Sequence, residues 1–286
     1  MSAEMVPGRV GILSLGLIGG SFAKAFAAGG REVYAYDISD DVMAVASIET
    51  IQGTLDDQTI PTCELIILAG YPEICVTWLR DNAALVNKDA IVMDIAGVKG
   101  AVCGECFELA AAHGFSFVGT HPMAGTQFSG FAHARANLFH NAPMVLVPPE
   151  GGDMTRLQTL DRLESLLEPC GFGFFSVTTP ERHDRLIAYT SQLAHVVSNA
   201  YVKSPTAREH GGFSAGSYKD LTRVARLNAP MWRELFLDNA NCLSYELGLI
   251  IESLQQYKDA IDKSDGERLE ALLAEGDRLK REAEAR

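Results

Sequence analysis

The sequence predicts an N-terminal doubly wound α/β domain with a parallel sheet, followed by an all-helical C-terminal domain. Three observations carry this. The chain has 286 residues, enough for about two domains of roughly 100–200 residues each. Its first part alternates short apolar runs with helical patterns, as strands do when helices cover both faces of a parallel sheet. After Thr179-Pro180 the strand signals nearly stop.

Residues 9–15 read as the first strand and 19–28 as the first helix. Residues 32–37 form a second strand, and the apolar runs 65–69 and 91–95 each lead into glycine or loop residues. Runs 115–119 and 144–147 continue the sheet, 157–167 is an amphipathic helix, and 173–177 is a last strand. Thr179 suits an N-cap, with Pro180 at the first helical position. Helices are then expected over 181–202, 217–225, 230–257 and 266–285, with Pro205, Gly211, Gly212 and Gly216 marking the main break. The division falls near residue 178, giving units 1–178 and 179–286. Residues 261–286 mix charges of both signs with Leu269, Leu272, Leu273 and Leu279 on a partial stripe. They read as a surface helix with one apolar face, too short to form an appended regulatory domain.

Composition narrows the function. Apolar residues make up 47% and charged residues 21%, which excludes disordered, collagen-like and coiled-coil classes. Lys plus Arg number 24 against 37 Asp plus Glu, a net charge of −13, so nucleic acid is not an expected partner. Apolar runs fall far short of the roughly 18 residues that span a bilayer. Residues 1–10 lack the pattern of a signal peptide. A cytoplasmic location without membrane attachment is expected. The six cysteines therefore stay reduced. Cys103-Gly104-Glu105-Cys106 is a CxxC without a second ligand pair at the usual spacing, so it reads as packing rather than a metal or redox site.

Residues 11–21 join the first strand to the first helix and contain Gly11, Gly16, Gly19 and Gly20. Gly16 lets backbone approach a pyrophosphate, Gly19 allows close helix–strand packing, and the N–H groups of the helix start attract the anion. Ser14 stands where this dinucleotide-binding fingerprint has its first glycine. Asp37, eighteen residues past Gly19, closes the second strand. A carboxylate there accepts hydrogen bonds from ribose hydroxyls and repels a 2′-phosphate, favouring NAD over NADP. The first unit is thus a Rossmann-type NAD-binding domain. Its expected cofactor contacts are Ser14, Leu15, Gly16, Leu17, Ile18, Gly19, Asp37 and Ala69.

His121 follows the apolar run 117–119, at the strand end where ligands bind in a doubly wound sheet. The run Thr120-His121-Pro122-Met123-Ala124-Gly125-Thr126, with Ser129-Gly130-Phe131 after it, resembles the prephenate dehydrogenase family of tyrosine biosynthesis. Asp94-Ile95-Ala96-Gly97-Val98-Lys99 is similar to that family's strand-end motif. His183-Asp184 with Ser191-Gln192-Leu193-Ala194-His195 resembles its first long helix in the helical domain. Tyr218-Lys219-Asp220-Leu221-Thr222-Arg223-Val224-Ala225, with Met231-Trp232 beyond, resembles its substrate-carboxylate segment.

The resemblance implies NAD-dependent oxidative decarboxylation of prephenate, with His121 drawing the hydroxyl proton and Arg223 binding a carboxylate. It also implies substrate contacts from His195 and Thr126 and a homodimer through helices of 181–257. A neutral imidazole and a guanidinium fork have the right chemistry for the first two roles. Three positions depart from the family pattern: Gly97 replaces a serine, Gln192 a histidine and Ala194 a proline. Gly97 and Gln192 are expected to line the substrate site. Because of these departures arogenate stays open as the alternative substrate. The same layout would also suit a β-hydroxyacid-type dehydrogenase relying on Lys203 or Lys219, or a non-catalytic NAD-binding sensor.

Overall fold

The computed structural model describes residues 4–126, 128–151 and 154–285. Eight strands form one sheet in the order β3-β2-β1-β4-β5-β6-β7-β8. They are β1 (Val10–Leu13), β2 (Val33–Tyr36), β3 (Gly53–Thr54), β4 (Leu65–Leu68), β5 (Ile91–Asp94), β6 (Ser116–Pro122), β7 (Pro143–Val147) and β8 (Phe174–Val177). Connecting helices are α1 (Leu17–Ala28), α2 (Asp40–Glu49), α3 (Pro72–Asn82), α4 (Gly100–His113) and α5 (Met154–Leu166). From β1 the chain runs outward to β2 and β3, then returns to β4 on the other side of β1. That reversal opens a crevice beyond the carboxyl ends of β1 and β4, the usual ligand position in such sheets.

Every residue of β1, β4 and β5 is buried, so these strands read as continuous apolar runs. Their side chains alternate between two cores, because successive residues of a strand point to opposite faces. Ile12, Ile67 and Met93 join one core with Phe22, Phe26 and Phe139. Leu13, Ile66, Leu68 and Val92 join the other with Cys103 and Cys106. Both CxxC thiols have no exposure, and burial pushes Cys103 up to about 12 and Cys106 higher still. Thiols held protonated in this way pack as small apolar groups.

The sheet departs from the expected all-parallel form at one place. Strands β6 and β7 pair antiparallel, while β7 and β8 pair parallel. Among the described residues between β6 and β7 the helical structure is a short 3₁₀ turn, Phe131–His133. No helical crossover is seen among them, so β7 runs the opposite way.

The helical part begins at α6 (Pro180–Ile187), with Thr179 accepting from the Arg182 N–H as its N-cap. A π-helical segment, Ala188–Leu193, leads straight into α7 (Ala194–Tyr201). Then follow α8 (Gly216–Thr222), α9 (Ala229–Asp238), α10 (Ala240–Asp262) and α11 (Gly266–Glu284). The helix expected over 230–257 is two helices, broken at Asn239. The Asn239 side chain is buried and donates to Asp184 O and Gln192 Oε1, both at 2.8 Å. An amide anchored to two buried acceptors holds the chain at the bend, where helix propensity alone would continue it.

Candidate active site

The β1–α1 turn is shaped as the glycine pattern requires. Ser14 adopts φ +70, left-handed backbone that glycine takes at no steric cost and serine at about 1 kcal/mol or more. A Cβ on Gly19 would lie 2.0 Å from Ser14 O and 2.9 Å from the Ala69 Cβ, so only glycine fits between strand end and helix. A Cβ on Gly16 would meet nothing within 4 Å. The N-terminus of α1 is therefore open above Gly16. It has no side-chain cap and no acidic residue in its first turn. Uncapped N–H groups beneath open space fit the pyrophosphate of a dinucleotide.

Leu15 contributes through its backbone: its side chain is buried, and its N–H donates to Asp37 Oδ2 at 2.7 Å. Asp37 Oδ1 accepts from the Ser39 N–H at 2.9 Å. These bonds fix the carboxylate at the end of β2, and a carboxylate oxygen with one bond can accept another. Leu17 and Ile18 are half-buried in the first turn of α1. Ala69 is half-buried beyond β4, with its N–H donating to Leu13 O at 2.9 Å. The expected cofactor residues thus converge on one crevice.

His121 lies near the end of β6, half-buried, and faces the helical part. Its Nδ1 is 3.0 Å from Nε2 of His183 on α6. His183 Nδ1 is 2.7 Å from Asp184 Oδ1, and both residues are buried. Asp184 in turn accepts from the Lys99 N–H at 2.7 Å and the Gly100 N–H at 2.8 Å, at the start of α4. Burial first, then His183 and then Lys99 hold His121 well below the usual imidazole range. A ring kept neutral in this way can accept a proton.

Beneath this group sits a buried ion pair. Lys99 Nζ binds Asp94 Oδ2 and donates to Thr120 O at 2.6 Å, and both side chains are fully buried. Asp94 also accepts from the Ala96 N–H at 2.9 Å and the Thr120 N–H at 3.2 Å. The network clamps the end of β5, the start of α4 and β6 at the residue before His121. Asp94 and Lys99 carried no functional signal of their own in the sequence beyond the family motif. Nor did His183-Asp184, sixty-two residues from His121 in the chain.

The remaining expected residues divide. His195 is half-buried, donates through Nδ1 to Ser191 O (2.8 Å), and stacks on Trp232 with ring centroids 4.1 Å apart. On an uninterrupted α-helix, twelve residues would put His183 and His195 about 120° apart around the axis. A π turn takes up one extra residue, which cuts the offset to about 20° and turns both histidines to one side. Arg223 caps α8, is exposed, and makes no ion pair or hydrogen bond among the described residues. The Asp220 pairing that its own helix could supply does not form.

Gly97 is half-buried, and a Cβ there would make ordinary contact with the Leu235 methyls at 3.6 and 3.8 Å. A serine would therefore fit at this position. Thr126 is exposed, and its Oγ1 accepts from the Phe128 N–H at 3.2 Å within its own loop. Gln192 is placed otherwise than expected. It is 2% exposed, donates to Leu235 O at 2.8 Å and accepts from Asn239 at 2.8 Å. Both ends of its amide are committed to joining the α6–α7 helix to α9 and α10. Lys203 and Lys219 are exposed.

Comparison with known proteins fits this geometry. The nucleotide-binding domain of prephenate dehydrogenase matches residues 22–174, and the dimerization domain of prephenate dehydrogenase matches residues 179–275. The chain belongs to the prephenate dehydrogenase family. It is 29% identical over 272 residues to the prephenate dehydrogenase of Bacillus subtilis (strain 168), covering 90% of this chain and 71% of that one. The Aquifex aeolicus prephenate dehydrogenase, solved with hydroxyphenyl propionate and NAD⁺, superposes with a TM-score of 0.80 at 27% identity over 99% of both chains. The Synechocystis arogenate dehydrogenase superposes with a TM-score of 0.78 at 28% identity, covering 95% of this chain and 99% of that one. Membership of this family makes the chain an oxidoreductase and removes the non-catalytic sensor from consideration. No helix among the described residues is long and apolar enough to cross a membrane.

Proposed function

We infer that this protein is an NAD-dependent prephenate dehydrogenase that converts prephenate to 4-hydroxyphenylpyruvate in tyrosine biosynthesis. The observation that carries the reading is a neutral, half-buried imidazole, His121, at the strand end beside the dinucleotide crevice. NAD⁺, when bound, accepts the hydride from the ring carbon that bears the hydroxyl. His121 draws the hydroxyl proton as that bond breaks, so the oxygen takes on carbonyl character. The carboxylate at the opposite ring position leaves as carbon dioxide, and its electron pair makes the ring aromatic. His121 then returns the proton to the phenolic oxygen, and no net proton is released.

Gly16 and the first turn of α1 hold the pyrophosphate, and Asp37 takes the ribose hydroxyls. Arg223, unpaired among the described residues, is free to fork onto a substrate carboxylate. His195, braced between Ser191 O and Trp232, faces the same substrate, with Thr126 and Gly97 at its margin. Gln192 acts at one remove, by fixing the helix that carries both histidines. Residues 1–178 serve as the nucleotide-binding unit and 179–286 as the substrate and dimer unit. The end of β8 at Val177 and the start of α6 at Pro180 support that division. Exposed apolar side chains on α10, including Leu249 and Leu254, suit a homodimer through the helical part. Free cysteines suit a reducing compartment, so we assign the enzyme to the cytoplasm.

Arogenate is the second reading, favoured by the likeness to the Synechocystis arogenate dehydrogenase. One assay tests all of this. The ultraviolet absorbance of the reduced nucleotide is followed with prephenate and with arogenate, each with NAD⁺ and with NADP⁺. Reduction with prephenate and NAD⁺ is expected to be fastest. No reduction in any of the four mixtures overturns the dehydrogenase reading. A higher kcat/KM with NADP⁺ overturns the cofactor assignment, and a higher one with arogenate overturns the substrate.

A further inference from the structure

We propose that His183 and Asp184 are positioning residues, which hold His121 in the tautomer with its lone pair on Nε2 and offset the charge that ring gains during turnover. The proposal rests on the reading of His121 as the proton acceptor.

Three donors converge on the Asp184 carboxylate: the Lys99 and Gly100 N–H groups and His183 Nδ1. A carboxylate only accepts, so His183 must carry its proton on Nδ1. In neutral imidazole the other nitrogen is then an acceptor, and His183 presents a lone pair from Nε2. His121 Nδ1 lies 3.0 Å from that lone pair. If His121 also presented a lone pair there, two acceptors would face each other across a contact largely shut off from water. His121 Nδ1 therefore carries the hydrogen, and Nε2 is left to accept the substrate proton. A doubly protonated His183 would reverse the contact and leave His121 with Nε2–H, unable to act as a base.

The same order of groups serves the charged state. When Nε2 takes the proton, His121 becomes an imidazolium whose Nδ1–H points at His183, with the Asp184 charge behind that ring. No proton need leave His121: the carboxylate offsets the charge through the polarised His183 ring. Asp184 is itself fixed by the start of α4 and, through its backbone oxygen, by Asn239. The contact between the two units is thus what aims the base.

The test uses the full chain with nitrogen-15-labelled histidine. Long-range proton–nitrogen correlation spectra report the tautomer of each ring without reference to turnover. In the wild type, His121 is expected to show a protonated Nδ1 and an unprotonated Nε2. In His183→Phe, that signature should give way to a mixture of tautomers, and kcat should fall on the order of 10²-fold. Nucleotide binding, followed by fluorescence titration, should stay within about twofold of wild type. His183→Gln can accept from His121 and donate to Asp184, so it should recover about tenfold of the loss; a side chain that only filled space would not rescue in this way. A wild-type spectrum with Nε2–H on His121 overturns the proposal. So does a folded, nucleotide-binding His183→Phe enzyme with unchanged kcat and pH profile. Failure of the dehydrogenase reading looks different: the wild type itself would not turn over, and the tautomer spectrum would still decide the proposal.

Discussion

His121 on β6 and His183 on α6 meet ring to ring, with Nδ1 and Nε2 3.0 Å apart. One belongs to the sheet that shapes the dinucleotide crevice and the other to the first helix of the helical part. Their contact joins the two units at the reacting position, and it organises the consequences below.

The first concerns pH. Burial, His183 and Lys99 all disfavour the protonated form of His121, so its folded pKa lies well below 6.5. Activity needs the neutral ring. The acid limb of kcat/KM is therefore expected below pH 6.5, with activity level from there through neutrality. Stability follows the same sign. The unfolded chain binds this proton more readily than the folded one, so the His121 contribution is complete above 6.5 and is lost as pH falls toward the folded value. A pH–rate profile with its acid limb above 6.5 would contradict the environment described for the ring.

The second concerns Arg223, unpaired among the described residues. Arg223→Lys keeps the charge but loses the planar fork. A charge-assisted hydrogen bond contributes about 1.5–3 kcal/mol. KM for prephenate should rise on the order of ten- to a hundredfold, with Tm unchanged because no folded-state partner is lost. Steady-state kinetics beside a thermal melt check both halves.

Gly19 gives the third. Its Cβ would sit 2.0 Å from Ser14 O, so Gly19→Ala must push apart the turn and helix that hold the pyrophosphate. Such overpacking costs about 1–3 kcal/mol. NAD⁺ affinity is expected to drop at least tenfold by fluorescence titration. At Ser14 the reverse holds. Its φ of +70 is already the glycine conformation, so Ser14→Gly should leave affinity and Tm no lower than wild type.

The fourth concerns the buried pair Lys99–Asp94. Lys99→Met leaves Asp94 charged and partly unpaired in the interior, and breaking one partner of such a pair costs about 3–5 kcal/mol. Denaturant unfolding should show a loss of that order. Double replacement by Lys99→Met with Asp94→Leu should recover part of it, since no lone buried charge then remains. A single variant as stable as wild type would mean the pair does not clamp β5, α4 and β6 as described.

Much of the architecture was legible because its causes are local. Strands β1, β4 and β5 are buried on both faces and so stand out as unbroken apolar runs. The Thr179-Pro180 helix start is where its residue types put it. The antiparallel pairing of β6 and β7 was not legible, because strand direction depends on how the long connection returns. The break at Asn239 was hidden for a related reason: its amide bonds Asp184 and Gln192, far away in the chain. Gln192 shows the same limit. By residue type it could line a site, but its burial against Leu235 and Asn239 commits both ends of the amide elsewhere.

Residue type and spacing along short stretches were enough to set the two-part layout, the glycine turn with Asp37, and His121 at a strand end. What holds the His121 ring, and which polar residues are buried among the helices, were settled only by packing. Those are properties of hydrogen bonds between residues up to eighty-five positions apart, such as Lys99 with Asp184, and such bonds exist only once the sheet and helices have come together.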